Sequence, residues 1–395
     1  MNTPQPSTDN EILWQPTQTV IENANLTHYM RWLDETRQLH FETYPELHRW
    51  SVEHLEDFWA SLWDYFGLKF SGKWETPLVA RVMPGAVWFP GVRLNYAENI
   101  FARMTTERPM LIYKAENQPL IEISWASIYD QTRRLAAILR DMGVNRGDRV
   151  VCYLPNIPET IVALLATASL GAIWSSCSPD FGSRSVLDRF TQIEPKVLIA
   201  VDGYPYNGKA FDRREVVAEL QAALPTLQHT ILVPQVAHNN EGLTNTVLWD
   251  KALATASPPT ELAFEQVPFD HPLWVLYSSG TTGLPKPIVH GHGGVLLEQS
   301  KTTILHNDLK PGDRFFWFTS TGWMMWNYLV GSLLSGATAI LYTGSPSFPS
   351  MNTIFELVEQ SSMTYFGTSA AFISACMKAE IYPNQHYDLS KIRAL

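Results

Sequence analysis

A run of serine, threonine and glycine that ends in a proline and a lysine carries the clearest chemical pattern in this sequence. The run consists of Ser278, Ser279, Gly280, Thr281, Thr282, Gly283, Leu284, Pro285 and Lys286. Glycines let the backbone approach a ligand closely, amides and hydroxyls donate hydrogen bonds, and a lysine neutralises negative charge. The pattern therefore predicts a loop that binds a polyphosphate.

This loop differs from the common phosphate-binding pattern Gly-x4-Gly-Lys-Ser/Thr. Pro285 precedes Lys286 and Pro287 follows it, so neither neighbour of the lysine fits that pattern. An ordinary surface loop is the alternative, because serine, threonine and glycine are common in loops. The apolar strand predicted at residues 274–277 and the Pro-Lys ending favour the phosphate interpretation.

A second segment combines large apolar side chains with one amide. It contains Trp323, Met324, Met325, Trp326 and Asn327. Such residues can line a small apolar pocket in which the asparagine offers a hydrogen bond. Plain packing in the core is the alternative.

Alternating strands and helices must position these segments. From residue 110 onward, strands are predicted at 111–113, 121–123, 149–154, 172–177 and 196–201, and helices at 124–143, 158–170 and 183–193. Ser124 is suited to begin a helix and Gly143 to end it. The alternation predicts a mostly parallel sheet with crossover helices. A polar stretch at 235–260 indicates a segment that runs over the surface. The alternation resumes after it, with strands at 273–277 and 287–290 and a helix at 294–303.

The first 95 residues have a different character. Apolar residues recur at positions 55, 58, 59, 62, 63 and 66, which is helical spacing. We therefore expect a helical, aromatic-rich segment over residues 1–95, packed on a main domain over residues 96–395.

Composition restricts the function classes. The chain has 395 residues, 45% of them hydrophobic and 17% charged, as in ordinary globular proteins of two to three domains. Its net charge of −10 makes nucleic acid an unexpected partner.

The cysteines and the apolar stretches of the sequence indicate the cellular compartment. Cys152, Cys177 and Cys376 lie far apart without Cys-x-x-Cys spacing, so neither a disulfide framework nor a zinc site is expected. Residues 1–19 lack the features of a signal peptide. The most apolar stretch, 161–174, is too short to span a bilayer. These features together predict a cytoplasmic protein without a membrane partner.

Taken together, the segments resemble the adenylate-forming (acyl-CoA synthetase) superfamily. The Ser/Thr/Gly-Pro-Lys run is similar to the phosphate loop of that superfamily. Residues 88–99, 176–182 and 321–327 resemble its acetoacetate branch more closely, and residues 50–59 resemble the N-terminal segment of acetyl- and acetoacetyl-activating members. The resemblance covers residues 10–395.

The resemblance implies an α/β fold, namely the large N-terminal domain of the superfamily with mostly parallel sheets flanked by helices. It also implies a reaction. A carboxylate attacks the α-phosphate of ATP to give an acyl-adenylate and pyrophosphate, and the thiol of CoA then displaces AMP. The implied acid is acetoacetate, with acetate or another short-chain acid as the alternative. Mg²⁺ would be bound through the ATP phosphates.

The resemblance also implies site residues. Residues 278–283 and Lys286 would hold the β- and γ-phosphates, with Thr282 and Lys286 as catalytic groups. The CoA-contacting residues would be Phe181, Gly182, Tyr206, Asn207, Gly208 and Lys209, although the family usually has an arginine where this chain has Tyr206. The acyl pocket would be lined by Trp323, Met324, Met325 and Trp326, with Gly367 and Thr368 near the acyl group and the nucleotide.

Members of the superfamily continue past the position that corresponds to Leu395. Their adenine-packing loop, ribose-binding aspartate, hinge and small C-terminal domain with its adenylation lysine follow there. We therefore expect a truncated chain in which the C-terminal domain is absent and which is inactive alone in the full reaction. A nucleotide- or CoA-binding fragment is the corresponding alternative function.

Other classes fit less well. Residues 367–371 approach the nucleophile elbow of serine hydrolases, but Ala371 replaces the last glycine, and His386 and Asp388 follow in the wrong order. A dinucleotide-binding Gly-x-Gly-x-x-Gly run is missing from the sequence. His290 and His292 could share one face of a strand and bind a metal, but structural roles are the simpler interpretation because no further ligand cluster is nearby in the sequence.

Overall fold

The computed structural model describes residues 14–279 and 283–395. Two larger sheets, flanked by helices, organise these residues. The helices are α1 (Gln18–Asn23), α2 (Asn25–Arg37), α3 (Tyr44–Glu53), α4 (Leu55–Phe66), α5 (Tyr96–Phe101), α6 (Trp125–Asp141), α7 (Pro158–Ser169), α8 (Ser183–Phe190), α9 (Arg214–Ala223), α10 (Trp249–Thr255), α11 (His292–Ser300), α12 (Met324–Gly331), α13 (Thr353–Ser361) and α14 (Ala370–Lys378). Short 3₁₀ turns occur at Ser332–Ser335 and Pro383–Gln385, and a π-helical turn extends α11 over Lys301–His306.

The strands are two to seven residues long. They are β1 (Arg93–Leu94), β2 (Leu111–Ala115), β3 (Ile121–Ile123), β4 (Arg149–Tyr153), β5 (Ile173–Cys177), β6 (Val197–Val201), β7 (Gly203–Tyr206), β8 (Lys209–Asp212), β9 (His229–Val233), β10 (Thr246–Leu248), β11 (Val267–Pro268), β12 (Pro272–Ser278), β13 (Lys286–Gly291), β14 (Arg314–Trp317), β15 (Thr338–Thr343) and β16 (Tyr365–Gly367).

The first sheet has the strand order β10-β9-β6-β4-β5-β12-β13 among the described residues. Its neighbours are parallel except for the last pair, in which β12 and β13 form an antiparallel hairpin. Strand β6, Val-Leu-Ile-Ala-Val, is buried along its whole length. A continuous apolar run of this kind is typical of a parallel strand covered by helices on both faces.

The second sheet has the order β16-β14-β15-β2-β3. It is also parallel apart from its edge, where β3 runs antiparallel to β2. Side chains from both sheets and from α2 to α4 belong to one hydrophobic cluster, represented by Val150, Leu111 and Leu33, all of them fully buried. The α/β architecture with mostly parallel sheets, expected from the sequence, is confirmed.

Local sequence signals account for several helix ends. The side chain of Ser124 accepts a hydrogen bond from the amide of Ser127 at 3.1 Å and begins α6. Gly143, with φ of 77°, adopts the left-handed conformation after that helix ends. Both features match the expectation, since serine satisfies the free amides of a first turn and glycine tolerates a positive φ.

The helical spacing of apolar residues at 55–66 corresponds to α4, and α3 precedes it with His54 between the two helices. Two local expectations were wrong in detail. The helix expected at 294–303 begins at His292 and continues as a π-helical turn. The stretch 235–260 contains β10 and α10. Strand β10 extends the first sheet by pairing with β9, and α10 buries Trp249. Its polar composition concealed these elements because only a few of its side chains face the core.

His292 joins α11 to α5 in the interior. It is fully buried, and its Nδ1 accepts a hydrogen bond from the amide of Tyr96 at 3.2 Å. Burial, with a smaller effect of neighbouring His271, lowers the pKa of His292 to about 3. The folded protein therefore holds this imidazole neutral.

Replacing His292 by glutamine should make stability less sensitive to acid. The unfolded chain binds a proton at His292 below pH 6.5, whereas the folded chain does not. The contribution of neutral His292 to the free energy of unfolding is therefore fully present above pH 6.5. It decreases by up to about 1.4 kcal/mol per pH unit as the pH falls toward 3. Urea unfolding between pH 7 and pH 4.5 measures the slope, with the same substitution at exposed His40 as the matched control. Identical slopes in the wild type and the His292 variant would contradict this expectation.

Candidate active site

The predicted phosphate loop connects the two strands of the β12–β13 hairpin. Ser278 pairs with Lys286 at its base. Ser278, Ser279, Gly283 and Lys286 are exposed, and Gly283 has a φ of 101°, which favours glycine. Gly280, Thr281 and Thr282 lie outside the described residues. The chain thus places the lysine at the mouth of a hairpin at the edge of the first sheet.

Helix α8 fixes the base of this hairpin. The hydroxyl of Tyr277 donates to the carbonyl of Arg189 at 2.8 Å, and Nε2 of Gln192 donates to the carbonyl of Pro285 at 2.9 Å. The guanidinium of Arg189 lies 5.0 Å from the ring centre of Phe181 and 5.8 Å from that of Tyr277. Phe181, Gly182 and the phosphate hairpin are therefore neighbours, although about a hundred residues separate them in sequence.

A cavity of about 640 Å³ lies between the two sheets, beyond the carboxyl ends of β4, β5, β14 and β15. We call it the intersheet cavity. It is lined by Pro155, Asn156, Ser178, Pro179, Asp180, Tyr204, Pro205, Tyr206, Trp317, Phe318, Thr319, Ser320, Trp323, Met325, Tyr342, Thr343 and Gly344. Ligands of open parallel sheets bind at the carboxyl ends of the strands, so this is the expected location for a substrate.

The β7–β8 hairpin reaches the rim of this cavity. Tyr206 lines the cavity and is 44% exposed, and Lys209 is exposed beside it. Asn207 and Gly208, between them, have φ of 53° and 73°. Two consecutive positive φ values are typical of a tight hairpin turn and suit asparagine and glycine.

A buried carboxylate holds this turn in place. Glu116, which is 6% exposed, follows β2 in the other sheet. Its Oε1 accepts from the amides of Asn207 at 2.7 Å and Ser345 at 2.6 Å, and its Oε2 accepts from the amide of Gly208 at 2.9 Å. The turn amides of Asn207 and Gly208 are therefore occupied by the protein itself, so a ligand at this turn would meet side chains such as those of Tyr206 and Lys209.

Replacing Glu116 by glutamine should lower the free energy of unfolding by about 1–3 kcal/mol, because an amide NH₂ would then face the N–H of Gly208 and leave buried donors unpaired. Urea denaturation measures the change. Glutamine at Glu107, whose side chain is 80% exposed beside Arg108, is the matched control and should change stability by less than about 0.5 kcal/mol. Similar small effects at both positions would argue against the role of Glu116.

The segment 319–327 is bound to the first sheet by hydrogen bonds. The hydroxyl of Thr321 donates to the carbonyl of Leu154 at 2.6 Å, and the hydroxyl of Ser176 donates to the carbonyl of Thr321 at 2.7 Å. The indole N–H of Trp326 donates to Oδ1 of Asn156 at 2.9 Å. These bonds fix the start of α12 between the two sheets.

A second, more apolar pocket of about 430 Å³ lies on the other side of α12. We call it the apolar pocket. It is lined by Trp274, Leu276, Val289, His290, Gly291, Gly294, Val295, Glu298, Gln299, Thr302, Met324, Asn327 and Tyr328. Thr302 belongs to the π-helical turn that follows α11, a geometry that is frequent at functional sites.

The structure divides the four residues that were predicted to share one pocket. Trp323 and Met325 line the intersheet cavity, whereas Met324 lines the apolar pocket. Trp326 lines neither, since it is fully buried and stacks on Trp174 with ring centres 6.3 Å apart. Asn327, 1% exposed, lines the apolar pocket. The start of α12 therefore separates two ligand-sized spaces.

Gly367 ends β16 near the intersheet cavity, and Thr368 follows it. The carbonyl of Gly367 accepts from the amide of Phe318, which lines the cavity, at 2.8 Å. A Cβ atom at Gly367 would lie 2.2 Å from the ring of Trp317, so the close packing requires glycine. The next residue, Ser369, uses its hydroxyl to accept from the amide of Phe372 and begins α14, which is a capping role.

The two histidines considered as metal ligands have other partners. Nδ1 of His290 accepts from the indole N–H of Trp274 at 3.1 Å, and Nδ1 of His292 accepts from Tyr96. Within residues 14–279 and 283–395, no group of three or more His, Cys, Asp or Glu side chains is arranged to hold a metal ion.

Some residues of the site carry no signal in the sequence. Glu116 and Arg189 belong to no motif, and Asn156 lies in an ordinary strand-to-helix turn. Each acts on a segment far away in the chain, so only the folded arrangement reveals it.

Comparison with known proteins assigns the class. A family model described as AMP-binding enzyme matches residues 100–395, and one described as acetyl-coenzyme A synthetase N-terminus matches residues 44–100. The chain therefore belongs to the AMP-binding enzyme family.

More specific similarity is to acetoacetyl-CoA synthetases. The chain is 40% identical to that of Rhizobium meliloti over 389 residues, which is 97% of this chain and 59% of the relative. It is 36% identical to that of Mus musculus, over 98% of this chain and 58% of the relative. It is also 34% identical to malonamoyl-CoA synthetase of Penicillium aethiopicum, over 96% of this chain and 56% of the relative.

A solved structure supports the same grouping. Acetoacetyl-CoA synthetase from Streptomyces lividans is 50% identical and superposes with a TM-score of 0.92, over 98% of this chain and 59% of that structure. The chain thus spans somewhat less than three fifths of the length of these proteins. In the described residues, no helix is long and apolar enough to cross a membrane.

Proposed function

We propose that this chain carries the substrate-binding core of an enzyme that activates acetoacetate with ATP and transfers the acyl group to CoA. The observation that carries the proposal is the position of α12. Its first turn lies between a cavity suited to a thiol cofactor and an apolar pocket suited to a small acyl group. The similarity to acetoacetyl-CoA synthetases favours acetoacetate over acetate and other short-chain acids.

The phosphate hairpin would bind ATP. Ser278, Ser279 and Gly283, with the residues 280–282 between them, supply amides and hydroxyls that suit the β- and γ-phosphates, and Lys286 supplies positive charge. Thr282 and Lys286 are the proposed catalytic groups. Their task is electrostatic, because the first step moves negative charge from the carboxylate to pyrophosphate and the second moves it from the CoA sulfur to the phosphate of AMP.

Mg²⁺ would be carried by the ATP phosphates. Mg²⁺ is commonly bound through one or two carboxylates together with the phosphates of the substrate. When bound, it would neutralise phosphate charge.

CoA would occupy the intersheet cavity. Tyr206, Trp323 and Met325 line this cavity, and the ring of Phe181 packs against Gly322 beside it. Gly182 and residues 207–209 are the further groups that we propose to contact CoA. Arg213 stands close by, since its Nε donates to the carbonyl of Pro179 in the cavity wall at 2.8 Å. Lys209 and Arg213 would offset the charge of Asp180, which also lines the cavity and would repel phosphates.

The acyl group would enter the apolar pocket. Met324 lines it, while Trp326 supports the start of α12 from the core and so acts by packing. Gly367 and Thr368 remain proposed neighbours of the acyl group and the nucleotide. All these groups lie in residues 96–395, which we propose as the catalytic domain, with residues 1–95 as a helical segment packed against it.

Acid-dependent exchange between ATP and pyrophosphate tests the proposal. Measured with the complete gene product, the kcat/KM of exchange should be highest with acetoacetate among acetate, acetoacetate, butyrate and longer acids. Preference for acetate or for a long-chain acid would contradict the assignment.

A further inference from the structure

Asn327 lines the apolar pocket, and its side-chain amide has no hydrogen-bond partner among the described residues. Only 1% of the residue is exposed, and both Oδ1 and Nδ2 are buried and unpaired. Burying an unpaired amide is unfavourable, and most buried polar groups in folded proteins are paired. A ligand that supplies the missing partner would remove this penalty.

The other polar groups around this pocket already have partners. Gln299 donates from Nε2 to the carbonyl of Asn327 at 2.9 Å, and its Oε1 accepts from the hydroxyl of Tyr96 at 2.7 Å. Glu298 forms an ion pair with Lys301 at 3.0 Å and accepts from the hydroxyl of Thr302 at 3.3 Å.

Two further polar side chains of the pocket are engaged in the same way. The hydroxyl of Tyr328 accepts from Nδ2 of Asn307, and Nδ1 of His290 accepts from Trp274. Of the polar side chains in this lining, Asn327 is the one whose polar atoms are buried and unpaired, whereas the ring of His290 is exposed.

We infer that Asn327 determines specificity by donating a hydrogen bond from Nδ2 to a carbonyl oxygen at carbon 3 of the acyl group. This inference rests on the proposed function. A 3-oxo oxygen accepts hydrogen bonds, whereas the methylene at the same position of butyrate does not. Acetoacetyl and malonamoyl groups, named in the relatives, both carry a carbonyl at carbon 3.

The consequence is discrimination between two acids of the same length. Butyrate would bury Asn327 with its donor unpaired, and sites built to bond a polar group reject analogues that lack it far more strongly than apolar pockets reject an added group. We expect the wild-type ratio of kcat/KM for acetoacetate over butyrate to be about 10²-fold or more.

The experiment measures this ratio by ATP–pyrophosphate exchange in the complete gene product and in Asn327→Leu, which has similar volume but no donor. The ratio should fall by about tenfold or more, chiefly through loss of acetoacetate activation while butyrate is used as well as before or better. Met324→Leu is the matched control in the same pocket. This variant should change kcat/KM for acetoacetate and for butyrate by the same factor, so that their ratio stays as in the wild type.

The outcomes separate this inference from the proposed function. If wild-type exchange is absent, or prefers acetate or a long-chain acid, both are wrong. If the wild type prefers acetoacetate and a folded Asn327→Leu protein keeps that preference, the inference alone is wrong. If Asn327→Leu does not fold, the wild-type ratio of kcat/KM for acetoacetate over butyrate still tests the inference. A ratio below about tenfold would overturn it.

Discussion

Replacing Lys286 by alanine should lower the rate of acyl-adenylate formation by about 10²-fold or more, the usual cost of removing one electrostatic contact from a reacting phosphate or oxyanion. Lys286 closes the base of the phosphate hairpin opposite Ser278, and its side chain is exposed. No carboxylate of the described residues forms an ion pair with it. Its charge is thus available to a ligand. ATP–pyrophosphate exchange in the complete gene product measures this step.

The second half-reaction supplies the internal comparison. In the proposed reaction pyrophosphate leaves before CoA attacks, so thioester formation from presynthesised acetoacetyl-adenylate should be affected much less. Alanine at Lys251, exposed on α10 at the opposite side of the first sheet, is the matched control and should change neither step. Equal losses in both half-reactions would count against a role for Lys286 at the β- and γ-phosphates.

Replacing Trp326 by alanine should lower the free energy of unfolding by about 3–5 kcal/mol, the usual cost of removing a buried tryptophan and leaving a cavity. Trp326 is fully buried, stacks on Trp174 and donates to Asn156. Loss of the indole would also leave Oδ1 of Asn156 without this donor. Chemical denaturation of the purified protein measures the change.

Trp323 provides a matched control three residues earlier. It is 61% exposed at the start of α12, so Trp323→Ala should change stability by about 0.5 kcal/mol or less. A large destabilisation at Trp323, or a small one at Trp326, would show that the assignment of one tryptophan to the cavity and the other to the core is wrong.

The division at α12 has a simple geometric origin. Successive residues of a helix point about 100° apart, so Met324, Met325 and Trp326 cannot share one wall. One faces the apolar pocket, one the intersheet cavity and one the core. The sequence predicted an apolar binding segment with one amide, and it could not divide the residues between two spaces because the rotation of a helix is set by what packs around it.

The sequence by itself determined the features that depend on local pattern. The order of residues at 274–286 predicted a loop after a strand, the alternation of strand and helix patterns predicted a mostly parallel sheet, and Ser124 and Gly143 predicted the ends of a helix. These signals are readable because backbone conformation and hydrophobic periodicity act over a few residues. Family membership follows from the same motifs.

Only the tertiary structure decided which distant groups meet. Glu116 bonds the turn at Asn207, 91 residues away, and Arg189 joins Phe181 to the hairpin at Tyr277. The unpaired amide of Asn327 is visible only because its neighbours in space, Gln299 among them, are bonded elsewhere. Hydrogen-bond pairing and burial depend on the packing of the whole chain. The partners of these side chains therefore cannot be predicted from local sequence patterns.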